Sequence, residues 1–399
     1  MTIPLTELDI DPSVPGFFLR PDYYDVLGRL RAEAPLFEAT PGTRLVSRYD
    51  DIREISRDPG RFCSSRGVLV NDPMREGLAI EGSILHTDPP RHGEYRRLLN
   101  REFTPRAVGG MEPRIRARTR DLLDAIPRGE EVDLVDVLAA PLPVTVIADV
   151  LGVAESDRSE FRRWSDAAIV ASDGRADLPT EDAVAVGELV SFLGALAEAK
   201  RADPGDDVVS LLVDREIGGA RLSPGELMTF NMSLLVAGNE TTRHLISGGF
   251  LALAEHPDQR RRLAADPSLM PGAVEELLRW VTPIQQFART VVADTTVGGE
   301  QVRVGEYLVM LYASGNRDEA AFGPTAADFD TLRPLSPPNL AFGFGEHLCL
   351  GAALARLEAR VVFEEVLDRF ADFELAGPST YLPSSLVRGP SSLPIRFAR

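Results

Sequence analysis

The sequence predicts a mainly α-helical chain with small β-sheets, closed as one unit over residues 1–399. Three observations carry that expectation. Apolar residues recur with helical spacing from about 90 to 280. Valines separated by glycines between 286 and 312 (Val291, Val292, Val297, Val302, Val304 and Val309) read as short strands and turns. No internal repeat or low-complexity linker divides the chain, and 44% hydrophobic with 26% charged residues supplies a substantial core.

In chain order, residues 1–70 predict a β-rich N-terminal part, with Leu45-Val46-Ser47-Arg48-Tyr49 as a strand before the acidic helix start Asp50-Asp51. Residues 71–90, rich in Gly, Pro and Asp, predict a loop. The helical body contains one well-marked start, Ser223-Pro224-Gly225-Glu226: an N-cap serine, proline at the first helical position, and glutamate three residues after the serine. That helix runs through Leu227, Phe230, Leu234 and Leu235 into Ala237-Gly238-Asn239-Glu240-Thr241-Thr242. Glycine inside a helix costs up to ~1 kcal/mol against alanine, and a desolvated carboxylate costs more unless partnered. Something should offset this; the plain alternative is a locally bent helix with a solvated glutamate. Glu276-Leu277-Leu278-Arg279 spaces an acid and a base three apart, a common ion pair on solvated helices. Pro334, Pro337 and Pro338 lead into a loop at 342–351, and Leu350, Leu354, Leu357 and Val361 then mark the buried face of a helix. The tail beyond 376 predicts a hairpin or irregular strands.

Charge and composition exclude several classes. A net charge of −18 argues against a nucleic-acid partner and against general affinity for anionic membranes. No basic segment followed by an apolar run opens the chain, so no signal peptide is expected. No stretch reaches the roughly 18 apolar residues of a membrane helix. Two cysteines, Cys63 and Cys349, make a lone disulfide a weak idea. The expectation is a soluble, cytoplasmic protein without a membrane anchor. Two cysteines and five scattered histidines do not supply a structural zinc site. A cysteine nucleophile would need a base and an orienting third group, and His347 has no evident partner. No Gly-rich loop follows a strand as a dinucleotide site requires, so the chain should lack its own reductase module.

The most informative segment is Phe342-Gly343-Phe344-Gly345-Glu346-His347-Leu348-Cys349-Leu350-Gly351. It sets a cysteine at a helix entrance, where backbone N–H groups and the helix dipole favour a thiolate. Glycines 343, 345 and 351 would let the backbone approach a large flat ligand. One thiolate with no other soft ligand nearby points to a metal already held by something else. Haem is the obvious candidate, since its porphyrin fills four positions and asks the protein for one axial ligand. Phe342, Gly345, Cys349 and Gly351 fit Phe-x-x-Gly-x-x-x-Cys-x-Gly, and the chain thereby resembles the cytochrome P450 family, of the bacterial, ferredoxin-dependent type. The resemblance runs from Pro21-Asp22-Tyr23-Tyr24 to Pro394-Ile395-Arg396-Phe397.

That resemblance implies a cytochrome P450 fold and a haem-thiolate monooxygenase. It would insert one oxygen atom from O2 into a lipid, terpenoid, steroid or polyketide-like molecule. Cys349 would be the axial ligand of haem b (iron protoporphyrin IX). Ala237 and Gly238 would leave room for dioxygen, and Glu240 and Thr241 would relay protons. His92, Arg96, Arg289 and His347 would hold the propionates; on their own, such residues are usually solvent-exposed, as His86, His256 and His244 are read to be. One departure is Asn339, where many relatives have histidine. Glu276, Arg279 and Arg333 would form a buried network bracing the cysteine loop. Cys63 would be a buried, unreactive thiol. The pocket would be lined by Val68, Leu69, Val70, Leu234, Ala237, Ile284, Gln285, Gln286, Phe287, Leu386 and Val387, with the two glutamines either orienting a polar group or satisfied by backbone. Electrons would come from NAD(P)H through a ferredoxin reductase and a ferredoxin, docked on Arg97, Arg101, Arg106 and Arg356, and the protein would be a monomer. Alternatives from other classes are a peroxygenase using H2O2, a non-catalytic haem sensor and a cofactor-free helical binding protein.

Overall fold

The longest element is the helix Pro224–Glu255, and its start follows the predicted capping box. The Ser223 hydroxyl accepts from the Glu226 N–H at 3.0 Å, while the Glu226 carboxylate accepts from the Ser223 N–H at 2.9 Å. The computed structural model describes residues 3–77, 80–127, 129–172, 179–370 and 372–398. The helices Pro141–Leu151, Met270–Val281 and Ala352–Arg369 pack around the long helix and form the main core with it. The helix continues without a break through 237–242, and Glu240 within it is buried, not solvated as the plain alternative had it. Burial against those neighbours outweighs the poor intrinsic helix propensity of that stretch.

A five-stranded sheet lies beside the helical body, in the spatial order Leu36–Thr40, Thr43–Val46, Tyr307–Leu311, Gln286–Val291, Phe62–Cys63. Tyr307–Leu311 runs parallel to Thr43–Val46 and antiparallel to Gln286–Val291. Both central strands are buried on both faces, which explains why 286–312 lacks clean alternation. Residues 1–70 carry more helix than the β-rich expectation, in Tyr23–Glu33 and Tyr49–Arg57. The second buries Tyr49, Ile52, Ile55 and Ser56 on one face, and the Asp318 carboxylate caps it by accepting from the Tyr49 N–H at 2.9 Å. That cap comes from 269 residues away, out of reach of local sequence reading.

The C-terminal strands behave as the sequence predicts. Pro394–Phe397 lies between Phe373–Leu375 and a short strand, Glu131–Asp133, that interrupts the helical body. Phe250 of the long helix meets Phe363 and Phe373 at 5.2 Å between ring centroids, and Phe370 meets Phe397 at 4.4 Å. Such pairs are worth about 0.5–1.5 kcal/mol each beyond area burial. They close this small sheet over the helical core.

Candidate active site

The loop 342–351 is a compact turn held from several sides. The Cys349 N–H donates to the Phe342 carbonyl at 2.9 Å, closing the loop on itself. A short turn, Gly345–His347, precedes the cysteine, and the helix Ala352–Arg369 begins three residues after it. Arg356 from that helix lies 4.5 Å over the Phe342 ring and grips Glu275 at 2.5 and 3.2 Å. Arg53 and Arg57 both stack on Phe344, at 4.4 and 4.6 Å. Gly345 has φ +75°, and a Cβ there would sit 1.9 Å from the Ser56 carbonyl oxygen. Glycine at 345 is therefore demanded by the turn and by the Tyr49–Arg57 helix, not by room for a flat ligand.

Cys349 is water-accessible, yet burial among protein atoms pushes its thiol pKa up, opposed by the Gly351 backbone N–H and by Arg96 and Arg356. The residue is reachable by water within densely packed surroundings. On the long helix, Ala237 is exposed while Leu235, Asn239 and Glu240 beside it are buried. The upward shift corrects the expectation that the loop by itself stabilises a thiolate. Desolvation outweighs the helix entrance, and a bound metal cation would be needed to hold the sulfur ionised.

Donors gather beside the cysteine with the Glu346 carboxylate among them, its Oε1 3.4 Å from His347 Nε2. Arg96 reaches from the helix Arg91–Leu99 to donate to the Leu348 carbonyl at 2.7 Å. His92 and His347 stack with ring centroids 4.2 Å apart. Buried His92 Nε2 has no partner, and His347 Nε2 lies 3.1 Å from Ser64 Oγ. Burial, then the adjacent His347, holds His92 down at about 4. Burial, then Arg289, holds His347 down at about 3. Arg289 is itself buried and donates to the neighbouring Ala288 carbonyl at 2.7 Å. Glu346 stands among them, its pKa raised by burial. Four cationic or donor side chains beside one reluctant acid, with an orphaned buried nitrogen, fit the two carboxylates of a haem.

Further along the long helix, Thr241 Oγ1 donates to the Ala237 carbonyl at 2.7 Å. Glu240 is 8% exposed, and its Oε1 lies 3.5 Å from His244 Nε2. His244 is buried at 2% exposure, which corrects its reading as a solvent-facing histidine. His86 pairs with Asp72 at 2.8 Å, and His256 Nδ1 lies 2.8 Å from the Ala252 carbonyl, so neither is simply solvated.

Glu276, Arg279 and Arg333 do meet. Arg279 donates to both Glu276 oxygens at 2.7 Å, and Arg333 to Glu276 at 3.1 Å. Their remaining donors pin carbonyls of Asn316, Phe322, Thr325, Ala326 and Asp328, so they brace the 316–333 segment rather than the cysteine loop directly. Asn316 passes the restraint on by accepting from the Leu340 N–H at 2.6 Å. Asn339 donates to Glu275 at 3.0 Å, committing its amide away from any propionate. Arg356 is likewise committed to Glu275, which removes it from a free basic surface, whereas Arg97, Arg101 and Arg106 are exposed.

The pocket residues divide. Gln285 N–H donates to the Leu386 carbonyl at 2.8 Å and Ile284 bridges Val387, so the 284–287 and 384–388 segments form one wall. Leu69, Leu234, Ile284, Phe287 and Leu386 are partly accessible, but Val68, Val70 and Val387 are buried. Gln285 is wholly buried: it accepts from the Tyr23 hydroxyl at 2.8 Å and donates to the Thr282 carbonyl. It cannot orient a ligand. Gln286 donates to the Ser385 carbonyl at 2.9 Å. Cys63 is buried, as expected.

A cysteine loop with His92, Arg96, Arg289 and His347 gathered beside it is the arrangement that a haem-thiolate site requires. A family model for cytochrome P450 matches residues 195–378. The chain is 36% identical over 408 aligned positions to the steroid C26-monooxygenase of Mycolicibacterium smegmatis, covering 100% of this chain and 98% of that protein. It is 36% identical to the linalool 8-monooxygenase of Pseudomonas putida, covering 96% of this chain and 97% of that protein. The solved structure of Mycobacterium marinum cytochrome P450 CYP268A2 in complex with pseudoionone superposes with a TM-score of 0.87 at 36% identity, covering 97% of this chain and 98% of that one. This chain belongs to the cytochrome P450 family. It has that family's fold and is a haem monooxygenase, using O2, a hydrophobic substrate and electrons from a redox partner. Among the described residues, no helix is long and apolar enough to cross a membrane.

Proposed function

We propose that this chain hydroxylates an apolar terpenoid-, steroid-, lipid- or polyketide-like molecule, with electrons drawn from NAD(P)H through a ferredoxin reductase and a ferredoxin. The observation that carries the reading is the water-accessible Cys349 in its loop, with the donors His92, Arg96, Arg289 and His347 gathered beside it and His92 Nε2 left unpartnered. When bound, haem b supplies O2 activation by two electrons and two protons, with transfer of one oxygen atom to carbon.

The chain's own residues do the rest. Cys349 would hold the haem iron through its sulfur, from the loop that begins at Phe342 and ends at Gly351. His92 Nε2, Arg96, Arg289 and His347 would bind the propionates and so set the orientation of the haem. Ala237 and Gly238 keep the helix surface low where O2 and substrate meet. Glu240 and Thr241 hold and pass protons at Oε1 and Oγ1. The Thr241 hydroxyl proton is engaged by the Ala237 carbonyl at 2.7 Å, so towards any other group this oxygen acts first as an acceptor. Leu69, Leu234, Ile284, Phe287 and Leu386 exclude water and present an apolar wall. With Gln285 removed from that wall, few polar anchors remain, which favours hydrocarbon-rich substrates. Exposed Arg97, Arg101 and Arg106 suit an acidic ferredoxin; charge reversal there should slow reduction, and an unchanged rate would refute the docking site. The free cysteines Cys63 and Cys349 suit a reducing cytoplasm, and we read the protein as a monomer.

The test is the spectrum of dithionite-reduced protein under carbon monoxide, beside Cys349→Ala. A Soret band shifted far to the red and lost in the variant supports the reading. A terpenoid and steroid panel screened by spin-state shift then addresses the substrate. Folded protein that takes up no haem would overturn it.

A further inference from the structure

One buried titratable residue has no part in the chemistry above. His244 lies one helical turn beyond Glu240 on the long helix, at 2% exposure. Neither ring nitrogen has a hydrogen-bond partner. Leaving buried polar atoms unpaired costs about 1–3 kcal/mol each, so the site should use them. Among the described residues, Nε2 approaches Glu240 Oε1 at 3.5 Å, just outside hydrogen-bond range.

The other side of the imidazole is closed by backbone. A Cβ at Gly389 would lie 2.5 Å from His244 Nδ1 and 2.6 Å from its Cβ. The 388–390 segment therefore runs directly over the ring, and only glycine permits it. That segment is tied down on both sides: the Ser247 hydroxyl donates to the Pro390 carbonyl at 3.3 Å, and the Arg388 N–H donates to the Pro283 carbonyl at 2.9 Å. The imidazole cannot swing away. The Glu240 side chain, bordering the accessible Ala237 and Thr241 surface, is the freer partner.

We propose that His244 is a positioning residue for Glu240, donating from Nε2–H to Oε1 to hold the carboxylate beside the accessible Ala237 and Thr241 surface, while Gly389 provides the space for the ring. A small rotation of the glutamate closes the 3.5 Å gap. The idea rests on the monooxygenase reading, and it adds a device joining the C-terminal substrate wall (386–388) to the proton-handling acid. Gly389→Ala should disturb the same contact by pressing on the ring, with both polar side chains kept.

Two measurements on the haem-loaded protein test it. The first is coupling, the product formed per electron consumed, in His244→Leu and His244→Gln. Loss of a hydrogen bond to a charged group should lower coupling about tenfold in the leucine variant. The glutamine variant, which keeps a donor four residues from Glu240, should recover most of it, with substrate affinity unchanged in both. Equal coupling in wild type and His244→Leu, or equal losses in the two variants, would overturn the proposal, the second outcome marking a space-filling role. The second needs no turnover. With five histidines in the chain, 15N-histidine labelling of the diamagnetic ferrous–CO protein yields an assignable spectrum. Glu240→Gln should shift His244 Nε2 selectively; unchanged His244 signals would overturn the pairing. Wild-type protein that binds haem but makes no product with any donor would defeat the monooxygenase reading, and the labelling result still decides the pair.

Discussion

Replacing Glu358 with glutamine should abolish a loss of stability expected of the wild-type protein between pH 5 and 8. Glu358 lies on the helix Ala352–Arg369 at 2% exposure, and its Oε2 has no partner. Burial alone, with no compensating cation, pushes its carboxyl from the usual 4.5 up to about 8. Between those values the folded protein keeps a proton that the unfolded chain has released. Stability from this source is therefore full below about 4.5 and declines as pH rises towards 8. At about 1.36 kcal/mol per pH unit, the window amounts to a loss on the order of 4–5 kcal/mol. Glutamine keeps the shape and has no charge to desolvate, so its profile should lack this component. Urea unfolding of both proteins at half-unit steps, followed by the fluorescence of Trp164 and Trp280, gives the difference directly, because every other titrating group is shared. A difference constant within about 1 kcal/mol from pH 5 to 8 would refute the reasoning, since it would mean that water or a partner solvates the ionised acid.

Three further outcomes follow from the site. Arg279→Leu leaves Glu276 with only Arg333 as a cationic partner and strands the carbonyls of Asn316 and Ala326, bonded at 2.7 Å, so unfolding should be easier by about 3 kcal/mol; a urea-derived loss below about 1 kcal/mol would count against it. Gly345→Ala adds the cost of a left-handed alanine, about 1–2 kcal/mol, to a Cβ 1.9 Å from the Ser56 oxygen, and should abolish normal haem incorporation. Full haem content with an unchanged CO spectrum would show that the loop has slack. In haem-free protein His92, held at about 4, stays neutral while the unfolded chain's histidine protonates near 6.5, so its contribution to stability falls as pH drops from 6.5 towards 4. Bound propionates should raise that value, and NMR titration giving the same pKa with and without haem would argue against His92 as their partner.

The features legible in the sequence were those whose cause is local. Ser223-Pro224-Gly225-Glu226 specifies its capping box within four residues, and the structure shows both hydrogen bonds. The Phe342–Gly351 pattern is local because a turn, a thiol and a helix start must follow one another along the chain. Glu358 was readable in part, since it stands three before Val361 and four after Leu354 on a buried face, where a charge is out of place. Gln285 misled because an amide in an apolar wall resembles a recognition group, and its partner Tyr23 lies 262 residues away. His244 was expected to face solvent, and nothing local revealed that Gly389 would press the backbone onto its ring.

By itself, then, the sequence determined the fold family, the cysteine loop, the long helix and the classes of chemistry that are excluded, because periodicity, capping and turn geometry act over a few residues. Tertiary structure alone decided which polar groups are spent and which are free. It committed Arg356 and Asn339 to Glu275, sealed Gln285, directed the arginine network to the 316–333 segment and left His92 and His244 without partners. It also reversed the direction of the Cys349 shift, because desolvation depends on every atom packed around a group, whichever part of the chain supplies it.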